Sequence, residues 1–241
     1  KYAEQLTYWQ SKPDNGPYEA IADGFRKSDA EILGWINSDD MLTPWTLQIV
    51  GQLFADCPEV EWVTSGFQLY IGENGLPISH SLLPGVNKNG FYNAENLPGS
   101  GIGPATAFIQ QESTFWRRAL WEKAVCREQP LADLAGDFDL WARFFEHAHL
   151  YRIDIPLGLF RSHGDQRSVT DRDKYIKQAL DILGRYGTPK PRPVDVLIAR
   201  YLQWCKIDIP PLRPFYETQH IVQFNRKNNC YQTKEITIPG K

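Results

Sequence analysis

Apolar residues first recur at helical spacing in residues 17–27, where Pro17 is followed by Tyr18, Ile21 and Phe25; this predicts a short helix. Ile32-Leu33-Gly34-Trp35-Ile36 is instead a compact apolar run, the form of a strand covered on both faces. It stops at Asn37-Ser38-Asp39-Asp40. Thr43-Pro44 then predicts a helix start, with Thr43 as N-cap, Pro44 at the first helical position, and Leu47, Val50, Leu53 and Phe54 as the inward stripe. Strand, acidic turn and helix in that order predict an α/β fold.

Further along, Trp62 to Ile71 reads as one or two strands, closed by a turn at Glu73-Asn74-Gly75. Residues 81–105, rich in Gly, Pro and Asn, read as a long surface loop, a length often tied to function. Phe108-Ile109-Gln110 predicts a strand and Arg117 to Ala124 a helix. Another helix is expected from about Asp137, burying Leu140, Trp141, Phe144 and Phe145. Leu150 to Arg161 reads as extended, and Tyr175, Ile176, Ala179, Leu180 and Leu183 mark a further helix. Pro189-Lys190-Pro191-Arg192-Pro193 reads as a stiff linker or domain edge, with a helix expected over Val194 to Trp204 and a mixed tail beyond. No internal repeat is visible.

Composition narrows the classes. The 241 residues carry 26 basic and 29 acidic side chains, a net charge of −3 spread along the chain. That leaves no electrostatic footprint for nucleic acid, which is excluded as an expected partner. Cys57, Cys126, Cys205 and Cys230 lie far apart with no Cys-x-x-Cys pair, so neither a zinc knuckle nor a dithiol redox site is suggested. Scattered thiols fit a reducing cytoplasm. No apolar run approaches the roughly 20 residues needed to span a bilayer. Eight tryptophans offer either core packing or flat platforms for sugars and bases.

Three places can carry chemistry. Adjacent carboxylates at Asp39 and Asp40, at the carboxyl end of a buried strand, repel each other unless a cation joins them. Hard oxygen ligands there suit Mg²⁺ or Mn²⁺ bridging to a diphosphate; an Asp-rich helix cap is an equal reading of the spacing. Asp137 and Asp139 flank Phe138 at a helix start, where capping by Asp137 is the simpler reading and a carboxylate base beside an acceptor the functional one. His163, in Arg161-Ser162-His163-Gly164-Asp165, is by itself an ordinary hydrogen-bonding histidine.

Taken in order, the motifs resemble those of the family 2 glycosyltransferases, which have the A-type nucleotide-sugar fold. The matching stretches are Pro13-Asp14-Asn15-Gly16-Pro17-Tyr18-Glu19-Ala20, Gly34-Trp35-Ile36-Asn37-Ser38-Asp39-Asp40, Gln111-Glu112-Ser113-Thr114-Phe115-Trp116-Arg117-Arg118, Gly136-Asp137-Phe138-Asp139-Leu140-Trp141-Ala142-Arg143 and Phe160-Arg161-Ser162-His163. The resemblance runs from about Tyr8 to Ser168. It implies a mixed, mainly parallel sheet with flanking helices, a catalytic domain over 1–188 and an extension of unknown role over 189–241. It also implies that the first strand, helix and second strand lie outside this sequence. The start at Lys1, with Met41 the only methionine, leads to the same expectation of an amino-terminal truncation.

By the same resemblance, Asp137 is the general base of an inverting transfer. Asp40 and His163 approach the metal, Mn²⁺ or Mg²⁺. Asp14, Asn15, Gly16 and Asp39 border the donor's nucleotide and diphosphate. Glu112, Ser113, Trp116 and Asp139 lie toward the acceptor. Gly136 departs from the family, which has Glu before the base. The expected partners are a nucleotide-sugar donor and a glycan or other hydroxyl acceptor, in polysaccharide assembly at a cytoplasmic place, at most peripheral to a membrane. The main alternative is a non-catalytic carbohydrate- or partner-binding module of the same fold; a metal-dependent phosphohydrolase ranks third.

Overall fold

The structure is a computed structural model, and it describes residues 3–83, 86–99, 108–125, 130–164, 166, 170–187 and 216–239. The elements in chain order are α1 (Pro17–Lys27), β1 (Ile32–Leu33), β2 (Met41–Leu42), α2 (Thr46–Asp56), β3 (Trp62–Ser65), β4 (Phe67–Ile71), β5 (Pro77–Leu82), α3 (Lys88–Tyr92), β6 (Thr114–Arg117), α4 (Arg118–Ala124), α5 (Gly136–His147), β7 (Leu150–Ile153), β8 (Gly158–Arg161), α6 (Arg172–Arg185), β9 (Tyr216–Asn225) and β10 (Cys230–Pro239). A 3₁₀ turn at Gln111–Ser113 leads into β6. The expected helix over 194–204 and the 188/189 boundary lie outside the described residues.

The fold is mixed α/β. Six strands form one sheet in the order β1-β6-β3-β7-β9-β10, and β2-β8-β4-β5 form a second. The sheets are not mainly parallel. β3–β7, β7–β9 and β4–β8 run parallel, while β1–β6, β3–β6, β9–β10, β2–β8 and β4–β5 run antiparallel. Connection length is the reason. Parallel neighbours need a long crossover, which α4 and α5 supply between β3 and β7, whereas β4–β5 and β9–β10 close through tight turns.

Pleating puts two different cores on the two faces of the larger sheet. Trp62 and Trp116, register partners on β3 and β6, point to one face, where Trp141, Phe144 and Leu140 of α5 and Leu120 of α4 pack on them. The Trp62 and Trp141 rings stack with centroids 5.6 Å apart. Val63 and Phe115, the next pair in register, point to the other face and meet Val50, Leu53 and Phe54 of α2. The third pair, Thr64 and Thr114, is joined hydroxyl to hydroxyl at 2.8 Å. β9 lies beside β7, and β10 returns against α2, where the Tyr231 N–H donates to Asp56 Oδ2 at 2.8 Å.

Local expectations change in three places. β1 ends at Leu33; Gly34 follows against the Phe115 ring, where a Cβ would come to 2.8 Å. α2 starts at Thr46, not at Pro44. Thr43 is tied instead to the strand across from it, its N–H donating to Leu157 O at 3.0 Å and its hydroxyl meeting Thr46 at 2.7 Å. Thr46 therefore takes the inward position and Leu47 is 70% exposed. The loop expected over 81–105 is not all surface: α3 lies within it, and Leu83, Phe91 and Leu97 are fully buried against α5 and its neighbours. Phe108 to Gln110 form no strand. Among the described residues no helix is long and apolar enough to cross a membrane.

Candidate active site

The acidic turn is held by contacts that span most of the chain. Asp40 points inward: its Oδ1 accepts the Arg161 N–H at 2.9 Å, and its Oδ2 lies 3.3 Å from the Asn37 amide nitrogen. Asn37 also donates to Gln111 Oε1 at 2.9 Å, and Gln111 donates to Trp35 O at 2.7 Å. The Arg161 guanidinium straps the turn from the other side, donating to Asp39 O at 2.6 Å and to Gly72 O and Glu73 O at 2.9 and 2.8 Å. Burial pushes the Asp40 carboxyl above its ordinary value, and neighbouring Asp39 adds to this against the Arg161 N–H.

Asp39 points the other way. Its Oδ2 lies 3.0 Å from His163 Nε2, a contact between residues 124 apart in sequence. The two side chains are 35% and 25% exposed. Burial works to raise the Asp39 carboxyl, but the His163 hydrogen bond and its charge prevail and hold it below the ordinary value. Gln166, which accepts the His163 N–H at 3.1 Å and donates to Arg161 O, fixes the loop carrying the imidazole.

Asp137 stands one residue into α5. Its Oδ1 accepts the Phe138 N–H at 2.8 Å and the Tyr175 hydroxyl of α6 at 3.1 Å, and Tyr18 of α1 is a third hydrogen-bond partner. Burial raises its pKa, opposed by these donors. The glycine before it has a structural cause. A Cβ at Gly136 would lie 2.5 Å from the Tyr18 ring, so the ring that reaches Asp137 occupies the space a larger residue would need.

Glu112 lies within electrostatic reach of both Asp40 and Asp137. It is 2% exposed, and its Oε1 has no hydrogen-bond partner among the described residues. Burial first, then the charges of Asp40 and Asp137, push its pKa up to about 8. It is packed from below by Gly158, where a Cβ would fall 2.7 Å from Glu112 O and Ser113 Oγ. Asp14 and Asn15 line an open cleft of about 230 Å³ shared with Lys12, Pro13, Glu19 and Asp23, and Gly16 follows them in the loop. Asp14 Oδ1 accepts the Gly16 N–H at 3.0 Å, and Gly16 has φ 129°, which favours glycine. A Cβ there would be 3.4 Å from Asp133, so this loop lies against the segment that leads into α5.

Several expected roles are redistributed. Trp116 is 0% exposed, among Phe25, Trp35, Trp121 and Trp141, and is a core residue with no acceptor-facing surface. Asp139 is equally buried: its Oδ2 pairs with Arg143 at 2.8 Å and accepts the Ala132 N–H at 3.1 Å, so it anchors α5 from inside. Ser113 is buried beside Glu112. Asp39, not Asp40, meets His163, because both Asp40 oxygens already face protein donors. Sequence reading missed Gln111, Arg161, Tyr18 and Tyr175, whose parts come from contacts distant in sequence.

Among the described residues no three His, Cys, Asp or Glu side chains converge as a metal-holding group. Asp39 and His163 supply two donors. One carboxylate oxygen and one imidazole nitrogen fit a cation that brings the rest of its shell as water and phosphate oxygen, and the imidazole suits Mn²⁺ better than Mg²⁺. The arrangement therefore suits a cation arriving with a diphosphate better than one held by protein alone. Compared with known proteins, the sequence matches no protein-family model and no curated protein.

Proposed function

We propose that the chain is the catalytic part of an inverting glycosyltransferase of the family 2 type, moving a sugar from a nucleotide-diphosphate sugar to an acceptor hydroxyl. The observation that carries the reading is the Asp39–His163 contact at 3.0 Å, in a strapped acidic turn, with Glu112 close enough to feel both that turn and Asp137. Neither hydrogen-bonding histidine nor acidic cap would by itself require this convergence.

In this reading Asp39 and His163 hold Mn²⁺ or Mg²⁺ at the donor diphosphate. When bound, the cation offsets the charge that builds on the leaving group. Asp14, Asn15 and Gly16 border the nucleotide. Asp137 accepts the proton of the acceptor hydroxyl as that oxygen bonds to the anomeric carbon and the diphosphate departs with the electron pair of the broken bond. Its raised pKa brings the base closer to the pH at which it works. Glu112, neutral below its pKa of about 8, adds little negative charge beside the donor at neutral pH.

Isothermal titration with UDP, GDP and dTDP, each with and without Mn²⁺, tests the donor site. Metal-dependent binding of one nucleotide is expected, lost in Asp39→Ala. Asp137→Asn should then abolish transfer while retaining nucleotide binding. Nucleotide affinity that ignores both metal and Asp39 would refute the site. No binding of any nucleotide, either by this chain or by one extended at its amino end, would favour the non-catalytic carbohydrate- or partner-binding alternative.

A further inference from the structure

Helix α5 begins without a cap of its own. Ala135 occupies the N-cap position and offers no side-chain oxygen to the open N–H groups of the first turn. The oxygen comes from another helix: Gln178 Oε1 of α6 accepts the N–H groups of Leu134 at 2.9 Å and Ala135 at 2.6 Å. Tyr175 lies three residues earlier on α6, hence on the same face. Its hydroxyl reaches Asp137 Oδ1 at 3.1 Å. One face of α6 thus holds both the backbone entering α5 and the carboxylate on its first turn.

Tyr18 approaches the same carboxylate from α1, its ring seated over Gly136. We infer that Tyr175 and Tyr18 are positioning residues for Asp137, fixing the direction in which its carboxylate meets an acceptor hydroxyl. The inference rests on the reading of Asp137 as the base. The groups facing Asp137 are Tyr18 from α1, Tyr175 from α6, the Phe138 N–H on its own helix and, at longer range, the Glu112 carboxyl. Burial and the adjacent Asp137 push the Tyr175 phenol well above its ordinary value, so it remains a donor across the working pH range.

A donated hydrogen bond favours the ionised carboxylate, so its loss must raise the Asp137 pKa. Tyr175→Phe removes only the hydroxyl and keeps the ring that packs against Phe108. The expected rise is about one pH unit for a hydrogen bond to a charged group. Carbon-13 carboxyl NMR titration of the intact protein, with the Asp137 signal assigned through Asp137→Asn, reads this without any substrate. The pH dependence of nucleotide release from UDP-, GDP- and dTDP-sugars with Mn²⁺ reads the consequence for transfer.

In Tyr175→Phe the acid limb of the rate profile should move up with the titration, and kcat should fall about tenfold with KM nearly unchanged, as expected for a displaced base. Tyr18→Phe, on the other side of the carboxylate, gives the same test if the α6 variant folds poorly. A titration that moves while the rate profile stays fixed would keep the positioning role and remove Asp137 as the base. An Asp137 titration unchanged in both folded variants would overturn the inference.

Discussion

Glu112→Gln is the substitution whose effect follows most directly from the structure. The carboxyl is 2% exposed, Oε1 is unpartnered among the described residues, and its pKa of about 8 stands against an ordinary 4.5. Below pH 4.5 it is protonated in the folded and the unfolded chain alike, and pH has no leverage through it. From 4.5 to about 8 the unfolded chain gives up the proton and the folded chain keeps it. Stability therefore falls as pH rises through this window. Above about 8 both states are ionised and the penalty stays constant.

At 1.36 kcal/mol per pH unit the full penalty is about 5 kcal/mol, most of which develops between pH 5 and pH 8. Against a total stability of about 5–15 kcal/mol this is a large share. Gln has nearly the same shape and cannot ionise, so the variant should escape the penalty. Urea unfolding of both proteins at pH 5, 6, 7 and 8 measures it. The stability of Glu112→Gln minus that of the native chain should grow by about 3–4 kcal/mol over the series. Subtracting the two curves cancels the histidines, which titrate in the same window. A difference flat to within about 0.5 kcal/mol would mean that Glu112 is solvated or paired, and the electrostatic account of the site would fail.

Four other substitutions test the frame around it. Gly136→Ala places a Cβ 2.5 Å from the Tyr18 ring and should cost about 1–3 kcal/mol by thermal unfolding, whereas Gly24→Ala, with no atom within 4 Å, should stabilise by up to about 1 kcal/mol; equal effects would discredit the Tyr18 contact. Asp139→Ala leaves Arg143 buried without its carboxylate and should destabilise by about 3–5 kcal/mol in urea; a loss below about 1 kcal/mol would contradict its anchoring role. Trp141→Ala removes a ring stacked between Trp62 and Trp35 and should cost about 3–5 kcal/mol, with a near-neutral result refuting the aromatic core.

Sequence periodicity reached the elements that depend on local pattern. The helix over 17–27, the strands within Trp62–Ile71, the helix near Asp137 and that containing Tyr175 all stand where spacing and punctuation put them. The misses share a cause. The segment beyond Trp204 read only as a mixed tail, and nothing local could say that β9 would lie beside β7. Trp116 and Asp139 carry types that suit a site equally well, and only the packing of β6 and α5 sends them into the core. For the acidic turn, the adjacent carboxylates after an apolar run marked the segment that Arg161, Asn37 and Gln111 tie down. Which of two adjacent carboxylates faces outward depends on the Arg161 N–H, 121 residues away, and that lies beyond any pattern within the turn.

The site's four carboxyl groups show how one side-chain chemistry is divided among tasks by surroundings alone. Asp40 accepts a backbone N–H and faces the Asn37 amide; its charge is spent on holding the turn. Asp39, beside a histidine and partly open, is kept ionised and accessible, the state a cation ligand requires. Glu112, without a hydrogen-bond partner for Oε1, keeps its proton and spares the site a further negative charge at neutral pH. Asp137 lies between these extremes, raised by burial and restrained by its donors, which is the balance a base needs to take a proton and later release it. Exchanging any two of these environments would leave the composition of the site unchanged and remove the division of roles. The contacts from Arg161, His163, Tyr18 and Tyr175 therefore carry as much of the proposed function as the acids themselves.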